Sequence, residues 1–231
     1  MQLSGKRVLV LGGSGVLGGE FCNQLTDAGA IVSATARDAE SSLRIPAHVQ
    51  TRLLVDLESE PGIQNLANYL LNQQLPIDLL INATGLVAFG SWQETPEEIA
   101  RRLMQVNFFG PGNLFGRLNP LLKLAAQHNG EAYIVNISGV VAEKSFLGMA
   151  AYSSSKVAAS NLIKTLGQEL RRDGIRTLEA RPGHTETGLA GRAIFGVAPK
   201  FAEGMTAQQV VARIVRGIKD GASELAASDF S

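Results

Sequence analysis

The chain has 231 residues, of which 45% are hydrophobic and 18% charged, and its 21 basic side chains balance its 21 acidic ones. This composition is typical of a globular protein and excludes a disordered chain. The balanced charge gives no indication of binding to nucleic acid or to an anionic membrane. The length suits one large domain or two small ones, and either could bury a substantial core.

Few residues could bind a metal or form a crosslink. The single cysteine, Cys22, excludes an intrachain disulfide and a site of several thiolates. His48, His128 and His184 are scattered without metal-ligand spacing, so no metal is expected. The apolar run near the amino terminus is too short for a signal peptide, and no run approaches the ~18 residues of a membrane span. We therefore expect a soluble cytoplasmic protein without a membrane partner.

Short apolar runs alternate with longer stretches of helical periodicity. Gly29 is a fitting cap for the first helix, and Thr95 for the third, with Pro96 in its first turn. The alternation predicts a single doubly wound α/β domain over residues 1–231, with a parallel sheet covered by helices on both faces. The predicted strands are Val8–Leu11, Ile31–Ala36, Gln50–Val55, Leu79–Ile81, Ala132–Ile137, Arg176–Ala180 and Glu224–Ala227. The predicted helices are Val16–Ala28, Ile63–Leu71, Pro96–Phe109, Asn113–Gln127, Ala151–Arg172 and Gln208–Lys219.

The glycine-rich stretch Gly188–Gly204 is weakly patterned and is predicted to form a loop or short helices. Because it follows the end of the sixth strand, it is a candidate lid over a substrate pocket. A disordered surface loop is the alternative interpretation.

A glycine-rich turn, Gly12–Gly18, connects the first strand to the first helix. Pyrophosphate binding requires close backbone approach and free N–H groups at the start of a helix, and glycine permits both. The strand, glycine turn and helix therefore predict a dinucleotide site, with a purely structural turn as the alternative.

The end of the second strand bears on cofactor choice, since that position contacts the adenosine ribose. No acidic residue stands at the strand end, and Arg37 follows it directly. An arginine there can pair with a 2′-phosphate, which favours NADP(H) over NAD(H). Alternatively, Arg37 is a solvated surface residue that Asp38 neutralises.

Tyr152 and Lys156 are four residues apart on a predicted helix and therefore share one face. Ser138 follows the fifth strand, where the binding crevice of a parallel sheet lies. A lysine cation lowers the pKa of a nearby tyrosine, which can then act as general acid or base. A serine hydroxyl can stabilise charge on a carbonyl oxygen. The Tyr–Lys pair alone is common on ordinary helices, and only its context favours catalysis.

These residues resemble the short-chain dehydrogenase/reductase family, and the match covers nearly the whole chain. The resemblance implies a Rossmann-like fold, a carbonyl or alcohol substrate, a nicotinamide cofactor, and a homodimer or homotetramer. The matching segments are Gly12–Gly18, Val55–Leu57, Asn82–Gly85, Val106–Asn107, Ile137–Ser138, Tyr152–Lys156 and Arg181–Thr187.

The family's site residues carry over to matching positions of this chain. The catalytic set is Asn107, Ser138, Tyr152 and Lys156, with Asn107 holding a proton-relay water. Asp56 is expected near the adenine amino group, and Thr185 and Thr187 near the carboxamide or the phosphates. The expected cofactor contacts are Gly12, Ser14, Gly15, Leu17, Gly18, Arg37, Asp56, Leu57, Asn82, Ala83, Thr84, Tyr152, Lys156, Pro182, Gly183, Thr185 and Thr187.

Three positions depart from the family pattern and put cofactor affinity in question. Leu11, Val16 and Ala83 replace a threonine, a glycine and an asparagine. The resulting Gly-x-x-Gly-x-x-Gly spacing is typical of the extended branch, which includes epimerases and dehydratases. The chain lacks that branch's long carboxyl-terminal substrate domain. A non-redox dehydratase or epimerase, and a non-catalytic NADP(H)-sensing scaffold protein, remain the alternatives.

The substrate pocket is expected to draw on Leu86–Trp92, Val140–Ala151 and Gly188–Gly204. These segments are largely apolar, which weakly favours a lipophilic or mid-sized carbonyl compound. Phe89 and Trp92 could line the pocket or pack beneath a helix, and His184 is interpreted as structural. The charged exceptions in the pocket segments are Glu143, Lys144, Arg192 and Lys200.

Overall fold

The computed structural model describes residues 1–230, which form a seven-stranded sheet in the order β3-β2-β1-β4-β5-β6-β7. Every neighbouring pair of strands is parallel. The sequence-based prediction of a doubly wound parallel sheet is therefore confirmed. The strands are β1 Arg7–Leu11, β2 Ile31–Ala36, β3 Thr51–Leu54, β4 Leu79–Asn82, β5 Ala132–Ile137, β6 Ile175–Ala180 and β7 Glu224–Leu225.

Helices cover both faces of the sheet and enclose two apolar cores. On one face, the core includes Phe21 and Leu25 of the first helix and Ile214 of the last. On the other, it includes Leu66, Leu118 and side chains from the sixth helix. Strands buried on both sides are apolar without alternation, as the sequence of β1 and β5 shows. The helices are α1 Val16–Asp27, α2 Ala39–Ser42, α3 Glu60–Gln73, α4 Glu97–Met104, α5 Gly110–Asn129, α6 Ala150–Glu169 and α7 Ala207–Asp220.

Several predicted element boundaries are wrong by a few residues, and α2 was missed. Helix α3 begins one turn earlier than predicted, because the Ser59 side chain caps it by accepting from the Gly62 N–H. Pro96, rather than Thr95, is the N-cap of α4, since the Thr95 hydroxyl donates to the Ser91 carbonyl instead. Helix α6 ends at Glu169, and a 3₁₀ turn, Arg171–Asp173, replaces its predicted last turn.

The predicted helices on either side of Gly110 are joined by a π turn over Gln105–Phe109. Each hydrogen bond of a π turn spans one residue more than in an α-helix, and such turns are frequent at functional sites. The turn places Asn107 in the protein interior.

Within residues 1–230, no helix is long and apolar enough to cross a bilayer. The same part of the chain contains no cluster of His, Cys, Asp or Glu side chains that could hold a metal ion.

Candidate active site

A cavity of about 420 Å³ opens at the carboxyl ends of the central strands. Parallel sheets bind ligands at this edge because the helix N-termini and the connecting loops converge there. Of the predicted site residues, the lining includes Gly15, Leu17, Ala83, Thr84, Ser138, Tyr152, Lys156, Pro182, Gly183, Thr185 and Thr187.

Close packing accounts for the glycines of the turn between β1 and α1. A Cβ on Gly18 would lie 2.0 Å from the Gly12 carbonyl oxygen, and one on Gly13 would lie 2.6 Å from the Ala34 Cβ. Gly15 is the N-cap of α1 and offers no side chain to the first N–H groups of the helix. This N-terminus faces the cavity, so its uncapped N–H groups can donate hydrogen bonds to an anionic group.

Arg37 lies beyond the end of β2 with 68% of its side chain exposed. Its Nε donates to the Asp38 carboxylate at 3.1 Å. The backbone N–H and hydroxyl of Ser41, followed by Arg37, lower the pKa of Asp38 to about 2. Arg37 therefore has a permanently ionised neighbour, and it does not line the cavity.

Other predicted cofactor residues support the cavity from behind. Asn82 is buried, and its side chain donates to Asn136 and accepts from the hydroxyl of Thr84 at 2.5 Å. Asp56 accepts from the Glu58 N–H, and the Leu57 carbonyl accepts from Gln105 at 2.8 Å. The predicted residues outside the lining are Gly12, Ser14, Gly18, Arg37, Asp56, Leu57, Asn82 and Asn107.

Tyr152 and Lys156 face the cavity from consecutive turns of α6, with Ser138 on the loop after β5. All three are buried. Burial raises the pKa of Tyr152 to about 12 and lowers that of Lys156 to about 8, because both charged forms lose hydration. The Lys156 ammonium donates to the Ile137 carbonyl at 3.1 Å.

Asn107 lies behind the cavity and ties the loop after β4 to α6. Its Oδ1 accepts from the Leu86 N–H at 2.8 Å, while its Nδ2 donates to the Leu86 carbonyl at 3.0 Å and to the Ser155 hydroxyl at 2.9 Å. A Cβ on Gly85 would lie 3.1 Å from the Lys156 Nζ and 3.4 Å from the Asn107 Oδ1. Because Gly85 has no side chain, the space beside the Lys156 Nζ and the Asn107 Oδ1 stays open.

Glu179 is a buried carboxyl that the sequence analysis did not single out. It lies on β6 opposite Asn136 of β5, and the Ser138 hydroxyl and the Asn136 amide both donate to it. Burial raises the pKa of Glu179, and this effect outweighs the hydrogen bonds from Ser138, Asn136 and Ser160, which lower it. An acidic residue between apolar residues of a buried strand was the signal available in the sequence.

The remaining cavity wall is mostly apolar. The lining includes Phe89 of the predicted pair, whereas Trp92 is 60% exposed and lies outside it. Of the four predicted charged residues only Arg192 lines the cavity, and Glu143 instead pairs with Arg181. Other large apolar side chains of the wall include Val87, Val141, Phe146, Met149, Leu189 and Phe201.

The candidate lid, residues 188–204 and called the lid below, is docked against the segment after β4. The Ile194 N–H donates to the Val87 carbonyl and the Phe89 N–H to the Phe195 carbonyl, both at 2.9 Å. The Phe201 ring stacks on His184 with their centroids 4.6 Å apart. His184, interpreted from sequence as structural, also lines the cavity.

The family model described as short chain dehydrogenase matches residues 6–194. The chain belongs to the short-chain dehydrogenase/reductase family. It is 32% identical over 189 residues to the rhamnolipids biosynthesis 3-oxoacyl-[acyl-carrier-protein] reductase of Pseudomonas aeruginosa, across 79% of this chain and 73% of that protein. It is 26% identical to the 7alpha-hydroxysteroid dehydrogenase of Escherichia coli, across 79% and 72% of the two chains.

Solved structures of short-chain dehydrogenases share the fold. One from Streptomyces avermitilis is 26% identical with a TM-score of 0.85, across 98% of this chain and 91% of that one. Another, from Burkholderia cenocepacia in complex with NADP, is 25% identical with a TM-score of 0.84, across 98% and 89%. This short-chain dehydrogenase chain is thus similar to oxidoreductases along most of its length.

Proposed function

We propose that this short-chain dehydrogenase is an NADP(H)-dependent oxidoreductase that transfers hydride between the cofactor and a carbonyl or alcohol substrate. The observation that carries the proposal is one cavity that Ser138, Tyr152 and Lys156 share with the open N-terminus of α1. A non-catalytic dinucleotide-binding protein has no need of that trio beside the cofactor cleft.

The residues around the cleft fit a dinucleotide. The N-terminus of α1 would hold the pyrophosphate, and the exposed Arg37, beyond the end of β2, a 2′-phosphate. Lys156 would hold the nicotinamide ribose, with Thr185 and Thr187 at the carboxamide or the phosphates. When bound, the nicotinamide supplies or accepts the hydride.

Tyr152 would deliver the proton to the substrate oxygen during reduction. With its pKa raised to about 12 by burial, Tyr152 holds its proton until a cation stabilises the phenolate. Lys156 is the cation on the next turn of α6, and its own pKa of about 8 leaves it charged at neutral pH. Ser138 would donate to the oxygen, and Asn107 would hold a water of the relay.

The apolar wall supports a lipophilic or mid-sized carbonyl compound as substrate, because it removes hydrophobic surface from water. The Pseudomonas aeruginosa relative is named for a 3-oxoacyl substrate, and the Escherichia coli relative for a hydroxysteroid. We also infer a single domain, with the lid as its substrate loop, in a cytoplasmic homodimer or homotetramer. Sedimentation velocity of the purified protein tests the oligomer.

Fluorescence titration of the purified protein with NADPH, and separately with NADH, tests the cofactor assignment. We expect tighter binding of NADPH, and we expect Arg37→Ala to weaken NADPH selectively by about tenfold because it removes the pairing with the 2′-phosphate. Arg216→Ala is the matched control, since Arg216 is also an exposed arginine that pairs with a nearby aspartate. Binding of neither cofactor would reject the proposed function.

A further inference from the structure

We propose that Glu179 is a positioning residue for Ser138, because the bond between their side chains decides whether the serine hydroxyl can donate to a substrate oxygen. The proposal rests on the proposed function. It starts from the observation that the Ser138 hydroxyl already has an acceptor, the Glu179 Oε1, on the side away from the cavity.

A serine hydroxyl carries one proton. When Glu179 is ionised, that proton points to the carboxylate, and Ser138 presents only lone pairs to the cavity. A carbonyl oxygen then loses the serine donor and keeps only Tyr152. When Glu179 is neutral, its O–H donates to the Ser138 Oγ, and the serine proton is free to donate to the oxygen on which charge develops.

The surroundings of Glu179 fix its carboxyl in place. Glu179 is fully buried, its Oε2 accepts from the Asn136 Nδ2 at 2.9 Å, and Asn136 in turn accepts from Asn82 at 2.9 Å. These three residues form a polar row across β4, β5 and β6, where the register sets them side by side. The row leaves Oε1 directed at Ser138, and the Ser160 side chain also hydrogen-bonds to the carboxyl.

Charged groups face Glu179 from three elements. Lys156 lies on α6, Arg181 directly after the end of β6, and Glu224 opposite Glu179 on β7. The Glu224 carboxylate forms ion pairs with Arg181 and Lys164. Burial of Glu179 favours its neutral form, which is the form that releases the Ser138 proton.

The first test needs neither substrate nor cofactor. Infrared titration follows the carboxyl band that Glu179→Gln removes. Ser138→Ala deletes a donor to the carboxylate, so we expect the Glu179 midpoint to move to higher pH. Ser153→Ala is the matched control, because the Ser153 hydroxyl is buried without a hydrogen-bond partner in the described part of the chain. An unmoved midpoint in Ser138→Ala overturns the proposal.

The second test measures reduction of ethyl acetoacetate and of a panel of ketones with NADPH in Glu179→Gln and Glu179→Met. Both variants lack an ionisable carboxyl near Lys156, so their difference isolates the bond to Ser138. The glutamine amide can donate to the Ser138 Oγ and so hold the serine proton toward the cavity, whereas methionine leaves the hydroxyl free to rotate. We expect kcat to be at least tenfold higher in Glu179→Gln than in Glu179→Met. The upper limit of this difference is the ~10²–10³ loss in kcat that follows complete removal of a transition-state donor.

The same pair is then compared in the Ser138→Ala background, with melting temperature and NADPH binding as checks on folding. We expect the difference between the two variants to disappear, because its cause is the serine. A difference that persists means a merely structural role and rejects the proposal. One outcome separates the two proposals. If the wild type binds NADPH but reduces no ketone, while Ser138→Ala still shifts the Glu179 midpoint, the hydrogen bond is supported. The proposed function and the catalytic role of Ser138 are then both overturned.

Discussion

Burial of single ionisable groups sets the chemistry of this site. Lys156 is buried, and its ammonium donates to the Ile137 carbonyl. Burial removes water from around the ammonium, and this lowers the pKa of Lys156 to about 8. Function at this residue is therefore expected to oppose stability.

Replacing Lys156 by Met should stabilise the cofactor-free protein by about 1–3 kcal/mol at pH 7. The folded pKa near 8 is below the ordinary value of 10.5, so the unfolded chain binds more protons between these values. Wild-type stability therefore carries the full penalty below pH 8 and rises with pH between about 8 and 10.5. Urea unfolding at pH 7 and pH 10 measures both effects. A wild type more stable than Lys156→Met at pH 7 would contradict the prediction.

Replacing Tyr152 by Phe should reduce turnover by about 10²–10⁴-fold, because the general acid is lost while the ring and its packing remain. The assay is NADPH oxidation with the ketone panel, and NADPH titration checks that the cofactor site is intact. Tyr69→Phe, at an exposed tyrosine on α3, is the control. Substantial residual activity in Tyr152→Phe would reject this residue as the proton donor.

At the level of secondary-structure elements, strands were easier to predict than the features that shape the site. The largely apolar runs of β2 and β5 have their predicted boundaries because buried parallel strands are rich in apolar residues. The π turn could not be predicted, since one shifted hydrogen-bond register changes helical periodicity too little. The convergence of Ser138 with Tyr152 was expected from the strand ends, whereas its bond to Glu179 depends on the register of β5 and β6.

The docked lid gives a prediction at this scale. Gly196 has φ +70°, and a Cβ there would lie 1.8 Å from the Phe89 carbonyl oxygen, so Gly196→Ala should release the lid from Val87–Phe89. Gly191→Ala is the matched control, because its Cβ would meet nothing within 4 Å. Hydrogen exchange over residues 188–204 should rise in Gly196→Ala only. Equal exchange in both variants would mean that the lid is not held there.

Across the whole molecule, a buried ion network joins the carboxyl-terminal strand to the active-site loop. Arg181, directly after β6, is 5% exposed at its side chain and pairs with Glu143 after β5 and Glu224 on β7. Glu143 was interpreted from sequence as a pocket residue, but this pairing draws it away from the cavity. The network therefore couples the position of the Ser138 loop to the far edge of the sheet.

We expect the two sides of this network to contribute unequally to stability. Glu143→Gln combined with Glu224→Gln leaves a buried guanidinium without a counter-charge and should lower the free energy of unfolding by about 3–5 kcal/mol. Arg181→Met should cost less, because its partners are more exposed and can turn to water. Urea unfolding compares the variants, and a larger loss in Arg181→Met would refute this assignment of the buried charge.

The contacts between the lid and Val87–Phe89 have a kinetic consequence. If entry to the cavity requires these backbone hydrogen bonds to break, each catalytic cycle includes an opening step that is independent of the substrate's chemistry. Reactive ketones of different structure would then share one upper limit on turnover and differ only in the concentration needed to reach it. The rate-limiting step would then be the breaking of a few backbone hydrogen bonds rather than the transfer of hydride.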